Sequence, residues 1–335
     1  MATVCAFVLT RNRKILLAEC LEALLAQTHP VDQVIVFDNA SDDGTEALLR
    51  QLGLLDRPAL VFRRSERNLG GAGGYAEGVR LGSQSGQEWL WLMDDDAEPH
   101  QDALQRMLAS PPARDAATSV LCTAVRHPDG RVEPLHRCRL GRFIVPLPEG
   151  AYRPGTYADV PCASFVGFMI RTAVAREIGL PRAEFFLGYD DAEYSLRARC
   201  HGPIRLVPES TTVHKIVVGG GQSTRRSRLW NRVLGQHYTS APWDTFWKNL
   251  YGVRNFMAIK HSRGPVPLMA FAGLTAVYVV KTLLYDPQPL RRVPWIVRYA
   301  RKGRANDFTG PTPEDWTRTT PRPSRRSGWR HSADR

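Results

Sequence analysis

Three consecutive aspartates, Asp94-Asp95-Asp96, follow an unbroken apolar run, Trp89-Leu-Trp-Leu-Met93. Alternate residues of an extended segment project to the same side, so Asp94 and Asp96 are expected to converge while Asp95 points away. Two converging carboxylates repel each other unless a cation lies between them, and hard oxygen ligands suit Mg2+ or Mn2+. An ion held there can bridge a diphosphate and neutralise charge on a departing nucleotide. A solvated acidic turn is the plainer alternative, but it does not need three aspartates at the end of such a strand. A second acidic cluster, Asp190-Asp191-Ala-Glu193, opens a predicted helix. Capping and the helix dipole account for one acid there. The surplus suits a general base that takes a proton from a hydroxyl, and Asp191 is the candidate. His214, which closes the segment Val207-Pro-Glu-Ser-Thr-Thr-Val213, is a candidate third metal ligand through a neutral imidazole nitrogen. A lone histidine is more often structural.

The elements that must carry these residues alternate in type. Strands are predicted at Val4–Leu9, Val34–Phe37, Leu60–Phe62 and Trp89–Met93. Between them, Leu16, Leu17, Leu21, Leu24 and Leu25 recur at helical spacing, and Thr45–Leu52 reads as a second helix. The Gly-rich stretch Asn68–Gly74 reads as a loop leading into a helix through Leu81. Farther on come a helix from Ala192 to about Cys200, a Gly202-Pro203 break and a short strand, Ile204–Val207. This alternation predicts an α/β fold with a parallel-rich sheet and helices on both faces. Ligands in open sheets of that kind sit beyond the carboxyl ends of the strands. Asp38 and Asp94–Asp96 both follow a strand directly.

The glycines of Asn68-Leu-Gly-Gly-Ala-Gly-Gly74 would let backbone approach a ligand closely. Read as a dinucleotide fingerprint they would imply an oxidoreductase, or a nucleotidyltransferase using the loop for phosphate. That fingerprint belongs after the first strand, however, and this loop follows the third. Neither alternative gives Asp190 and Asp191 a task. The net charge is +12, and residues 291–335 hold twelve Lys/Arg against four Asp/Glu. Such an end suits an anionic lipid surface or nucleic acid. Carboxylates in a cleft repel nucleic-acid phosphates, so no nucleic-acid partner is expected. Six scattered cysteines without a CxxC pair argue against a zinc ribbon and fit reduced thiols in cytoplasm. Val4–Leu9 is too short for a signal core.

The motifs together resemble the family 2 inverting glycosyltransferases of GT-A fold, over roughly Ala2 to Lys215. They come in that family's order: Thr10-Arg11-Asn12, then Asp38-Asn39-Ala-Ser-Asp-Asp-Gly-Thr45, the triple aspartate, and the acidic pair on a helix. Asn68–Gly74 and Tyr189–Arg199 look like the galactofuranosyltransferases of actinobacterial cell-wall assembly. The resemblance implies a nucleotide-sugar-binding fold with a C-terminal helical extension. It further implies that Asp38 holds the uridine, with Thr10 and Arg11 lining that pocket and Asn39, Asn68, Gly70 and Gly71 binding the nucleotide sugar. Asp94, Asp96 and His214 would bind the divalent cation (Mn2+ or Mg2+), and Asp95 would face the donor. Asp191 would be the catalytic base, with Asp190 positioning donor or acceptor. Many members of that family carry Glu-Asp where this chain has Asp190-Asp191, which points to a furanosyl-type site. The implied donor is UDP-galactofuranose, with dTDP-rhamnose as the alternative. The implied acceptor is a polyprenyl-diphosphate-linked glycan.

The expected organisation is a catalytic domain over 1–218, a loop or linker over 219–240, a helical, membrane-associating segment over 241–310, and a basic, disordered tail over 311–335. Phe246, Leu250, Val253 and Met257 mark an amphipathic helix. The seventeen uncharged residues Gly264–Val280 fall short of the roughly twenty a membrane span needs. With Pro265 and Pro267 they read better as a buried or interfacial helix. Trp295, Tyr299 and the Arg291–Arg304 cluster suit a helix on an anionic leaflet. The expectation is a peripheral enzyme on the cytoplasmic face of the membrane.

Overall fold

The computed structural model describes residues 2–141, 144–215, 225–234, 240–262, 264, 267–310 and 316. The chain divides into two compact units, Met1–Gly219 with Ile259–Pro265, and Gly220–Ala258 with Val266–Arg335.

The first unit runs β1 (Val4–Thr10), α1 (Lys14–Leu25), β2 (Gln33–Asp38), α2 (Thr45–Gln51), β3 (Leu60–Arg64), α3 (Gly70–Gln84) and β4 (Trp89–Asp94). It continues through β5 (Ala97–Pro99), α4 (Ala103–Ala109), α5 (Pro111–Arg114), β6 (Val120–Arg126), β7 (Arg137–Leu140), β8 (Ile144–Pro146) and β9 (Cys162–Ala163). It ends with β10 (Phe168–Arg171), α6 (Thr172–Ile178), α7 (Asp190–Ala198) and β11 (Ile204–His214). Eight strands form one sheet in the order β3-β2-β1-β4-β10-β6-β11-β5, and β8-β7-β9 form a second. The first four strands pair in parallel, as do β6 and β11, while β10 enters antiparallel between β4 and β6.

Period-two alternation divides the core between the two faces of the large sheet. Val4, Ala6 and Val8 pack with Leu17, Leu21 and Leu24 of α1, whereas Cys5 and Phe7 pack with Tyr75 and Val79 of α3. Burying both faces explains why the strands read as continuous apolar runs. Register then aligns the carboxyl ends. Thr10 pairs with Asp38 and Leu9 with Asp94, so three strands deliver their polar termini to one edge.

Two sequence expectations change here. The stretch from Gly70 is the first turn of α3 rather than a loop, and its glycines serve packing. A Cβ at Gly74 would lie 2.3 Å from the Leu9 side chain, and one at Gly78 2.4 Å from the Phe7 ring, so only glycine lets α3 lie this close to β1. The strand expected over Ile204–Val207 continues to His214. Its pairing with β6 shifts between Val207 and Thr211, the interval that holds Pro208, whose missing N–H is tolerated at such an irregularity.

The second unit contains α8 (Arg225–Leu234), α9 (Phe246–Ser262, mostly in this unit), α10 (Leu268–Tyr285) and α11 (Pro289–Arg304). Part of the expected linker is therefore helical, while residues 216–224 and 235–239 lie outside the described residues. The expected tail lies outside them too, except Trp316, which is buried against Trp243, Phe246 and Trp295. Apolar α10 starts just after Pro267 and is long and apolar enough to cross a membrane by length and composition, with mean hydropathy 1.6. It is not a buried helix: Leu268, Met269, Val277 and Val280 are all exposed.

Candidate active site

The triple aspartate splits three ways. Asp94, the last residue of β4, accepts the Tyr75 hydroxyl from α3 at short range. Asp95 turns toward the end of β1. It accepts the Thr10 hydroxyl at 2.8 Å, the Arg11 backbone N–H at 3.4 Å and Arg13 Nη1 at 3.1 Å. The same Arg13 nitrogen donates to Asp96 Oδ2 at 2.9 Å. His214, the last residue of β11, pairs in register with Ala97 and so stands beside Asp96, its Nε2 at 3.3 Å from Oδ1. Ligand atoms of Asp94, Asp96 and His214 all lie within 4.8 Å of one another.

Electrostatics in this cluster are uneven. Burial pushes the Asp94 carboxyl up, and the charge of Asp96 adds to the effect. Burial also raises Asp95, and although Arg13 and Thr10 oppose it, the net value is about 7. Burial lowers His214, but the hydrogen bond and charge of Asp96, with Glu133 and Asp94 behind them, outweigh it and raise the imidazole to about 9. Asp96 is accordingly held low despite its own burial. Asp96 Oδ1 is a buried oxygen without a regular hydrogen bond. With the carboxylate of Asp94 and the imidazole of His214 it makes a donor set that a divalent cation fits.

Asp190 and Asp191 open α7 behind Tyr189, a non-glycine residue with φ of 66°. The approach to them is fixed by α3. The Ala72 N–H donates to the Phe186 carbonyl at 3.1 Å, and a Cβ at Gly70 would lie 2.1 Å from that same oxygen. Gly70 thus admits the segment that delivers the acidic pair, and Gly71 meets Leu187. Burial raises both carboxyls, Asp191 adds to the shift of Asp190, and the charge of Asp94 reaches both. The Asp191 Oδ1 accepts the Ala192 N–H at 2.6 Å.

At the end of β2, Asp38 is fully buried. Its Oδ1 accepts the Ser41 N–H at 2.8 Å, whereas Oδ2 has no hydrogen-bond partner, Arg64 Nε standing 3.9 Å away. Asn39 braces the start of α3: its amide donates to the Gly70 carbonyl at 2.9 Å and its carbonyl accepts the Leu69 N–H at 2.8 Å. Asn68 is turned inward in the same way, accepting the Gly70 N–H at 2.9 Å. These two side chains are spent on the scaffold. Sequence reasoning missed Tyr75, Arg13 and a further pair, Glu133 and His136, which meet His214 from the segment between β6 and β7. The three-residue spacing of Glu133 and His136 was the available signal.

The pattern described as Glycosyl transferase family 2 matches residues 5–179. The galactofuranosyltransferase GlfT1 of Mycobacterium tuberculosis (strain ATCC 25618 / H37Rv) is 31% identical over 324 residues, covering 92% of this chain and 98% of that protein. The chain belongs to glycosyl transferase family 2. This family 2 glycosyltransferase is also similar to the galactofuranosyltransferase GlfT2 of Mycolicibacterium smegmatis, with 30% identity over 221 residues, 55% of this chain and 33% of that one. In fold it is similar to GalNAc-T7, crystallised with UDP, GalNAc and Mn2+ (TM-score 0.57, 15% identity, 77% of this chain and 47% of that one). It is also similar to the mannosyltransferase PcManGT of Pyrobaculum calidifontis, in complex with GDP-Man and Mn2+ (TM-score 0.50, 18% identity, 90% and 86% covered). The expected GT-A type α/β fold, with its helical C-terminal region, is the fold observed.

Proposed function

We propose that this glycosyltransferase moves galactofuranose from UDP-galactofuranose to a hydroxyl of a lipid-linked glycan, with inversion at the anomeric carbon. The observation that carries the proposal is the convergence of Asp94, Asp96 and His214, with the field of Asp94 reaching Asp190 and Asp191. Those three residues would hold the cation, and the chemistry it supplies when bound is neutralisation of the donor diphosphate. His214 among the ligands favours Mn2+ over Mg2+, since imidazole is a softer donor than oxygen. The unpartnered Asp38 oxygen suits an N–H of the base, and the strand termini around Thr10 and Arg11 frame it.

Asp191 takes the proton from the acceptor hydroxyl, whose oxygen then attacks the sugar from the face opposite the leaving nucleotide. Burial that raises Asp191 suits this task, because a carboxylate near its ordinary value is a feeble base at neutral pH. Asp190 packs beside it and orients donor or acceptor. Exposed apolar residues on α10 and the exposed arginines Arg291, Arg298 and Arg301 of α11 support docking on an anionic membrane, where a lipid-linked acceptor would be found.

Donor profiling tests the reading. Nucleotide release is measured from UDP-galactofuranose, UDP-galactopyranose and dTDP-rhamnose, with Mn2+ or EDTA, in the presence of a polyprenyl-linked disaccharide. Release confined to UDP-galactofuranose with Mn2+ is the expected result. Turnover of dTDP-rhamnose alone, or release indifferent to EDTA, overturns the assignment.

A further inference from the structure

The segment between β6 and β7 has no task in the reaction as described, yet it places a carboxylate and an imidazole against His214. Glu133 Oε2 lies 2.9 Å from His214 Nδ1 and 3.1 Å from His136 Nε2. On the far side, His136 Nδ1 meets the Ser164 hydroxyl at 2.6 Å. The two imidazoles stand edge to face with centroids 4.9 Å apart. All three side chains that meet at Glu133 are largely buried, with exposures of 14% for Glu133, 13% for His136 and 5% for His214.

The backbone holding this group is fixed from below by one buried side chain. The Arg137 guanidinium is fully buried and donates to the carbonyls of Thr123 at 3.0 Å, His136 at 2.8 Å and Val166 at 2.6 Å. The Glu133 N–H donates to the Val125 carbonyl and the Ser164 N–H to that of His136. A group anchored this thoroughly has a defined orientation.

The hydrogen bonds fix which imidazole nitrogens facing Glu133 carry a proton. A carboxylate can only accept, so each imidazole nitrogen facing Glu133 must carry a hydrogen. His136 therefore has its proton on Nε2, and its bare Nδ1 accepts the Ser164 O–H. His214 carries a proton on Nδ1, and without a cation Asp96 keeps a second proton on Nε2, 3.3 Å from its Oδ1; a divalent ion at Asp94 and Asp96 would displace that Nε2 proton and leave the Nδ1 proton bonded to Glu133. The freed Nε2 is the nitrogen a metal needs, in the tautomer a metal needs.

We infer that Glu133, supported by His136 and Ser164, is the positioning residue that sets the tautomer and orientation of His214 for the divalent cation. The inference rests on the metal reading of Asp94, Asp96 and His214. Carboxylates that orient a ligating histidine typically change metal affinity by about 10–100-fold when removed.

The test is Mn2+ binding to the full chain without donor, read by electron paramagnetic resonance of free Mn2+. Wild type, His214→Ala, Glu133→Ala and Glu133→Gln are compared. Wild type binds and His214→Ala does not; Glu133→Ala weakens binding by about 10–100-fold, and Glu133→Gln, whose amide oxygen still accepts a hydrogen bond, falls between. Failure of wild type to bind Mn2+ removes the metal reading itself. Binding by Glu133→Ala within twofold of wild type, beside a dead His214→Ala, overturns the role of Glu133 alone. A second measurement needs no variant that might misfold. Long-range proton–nitrogen correlation spectra of the wild-type protein with Mg2+ should show the His214 proton on Nδ1, and finding it on Nε2 rejects the inference.

Discussion

Replacing Asp191 with asparagine separates chemistry from binding and from folding in one variant. The asparagine carbonyl can keep the bond from the Ala192 N–H, 2.6 Å in the native protein, so the first turn of α7 survives. What is lost is proton acceptance. General-base assistance contributes about 10²–10⁴-fold to a rate, which at about 1.4 kcal/mol per decade is a barrier increase of about 3–5 kcal/mol. Stability should move the other way. Burial raises the Asp191 carboxyl, so in the folded protein its charged form is disfavoured relative to the unfolded chain. Such a group stabilises the fold below its ordinary value of about 4, and the stability is lost as pH rises through the raised folded value. Asparagine carries no charge to lose. The metal-free variant should therefore melt at or above the wild-type temperature at pH 7.5, with the difference fading on acidification. The assay pairs UDP release with calorimetric UDP binding and thermal unfolding. Near-normal turnover would refute the base assignment. Activity lost together with UDP binding and melting temperature would show instead that Asp191 is structural.

Three further outcomes are expected. The acid limb of the kcat profile should have its midpoint above the ordinary carboxylate value, because burial raises Asp191; a midpoint at or below about 4 would point to an exposed carboxylate. Gly78→Ala places a Cβ 2.4 Å from the Phe7 ring and should cost about 1–3 kcal/mol in urea unfolding, whereas an unchanged midpoint would mean α3 can move off the sheet freely. Val277→Glu with Val280→Glu on α10 should abolish flotation with phosphatidylglycerol vesicles while leaving nucleotide binding intact, and retained flotation would discard α10 as the docking element.

Much of this site was legible in the sequence because strand ends are local features. The run Trp89–Met93 is buried on both faces, and its abrupt polarity change at Asp94 marks the strand end without any knowledge of neighbours. Asp38 was visible for the same reason. Glycines misled where tertiary packing overrode propensity: Gly74, Gly78 and Gly82 are poor helix formers, yet α3 forms because their missing side chains let it settle on Leu9, Phe7 and Leu90. The antiparallel entry of β10 between β4 and β6 follows no local pattern, and it is this insertion that sets β6 and β11 beside the first half. Glu133, His136 and Arg137 depend on that crossing. No window of sequence containing them also contains His214, 81 residues from Glu133.

Charge placement gives the strongest physical case for a cation. Arg13 serves Asp95 and Asp96, and His214 serves Asp96 again, so the positive charge within reach is drawn to one side of the cluster. Asp94 receives a tyrosine hydroxyl, a neutral donor that can share a proton but cannot offset a buried negative charge. Asp190 and Asp191 stand within the field of that same carboxylate, which adds to the burial that raises both. A negative diphosphate arriving alone would be repelled by the charged carboxylates of this cluster. A divalent ion held by Asp94, Asp96 and His214, as proposed, would offset that negative charge. The donor atoms of Asp94, Asp96 and His214 thus gather where buried carboxylates are most crowded.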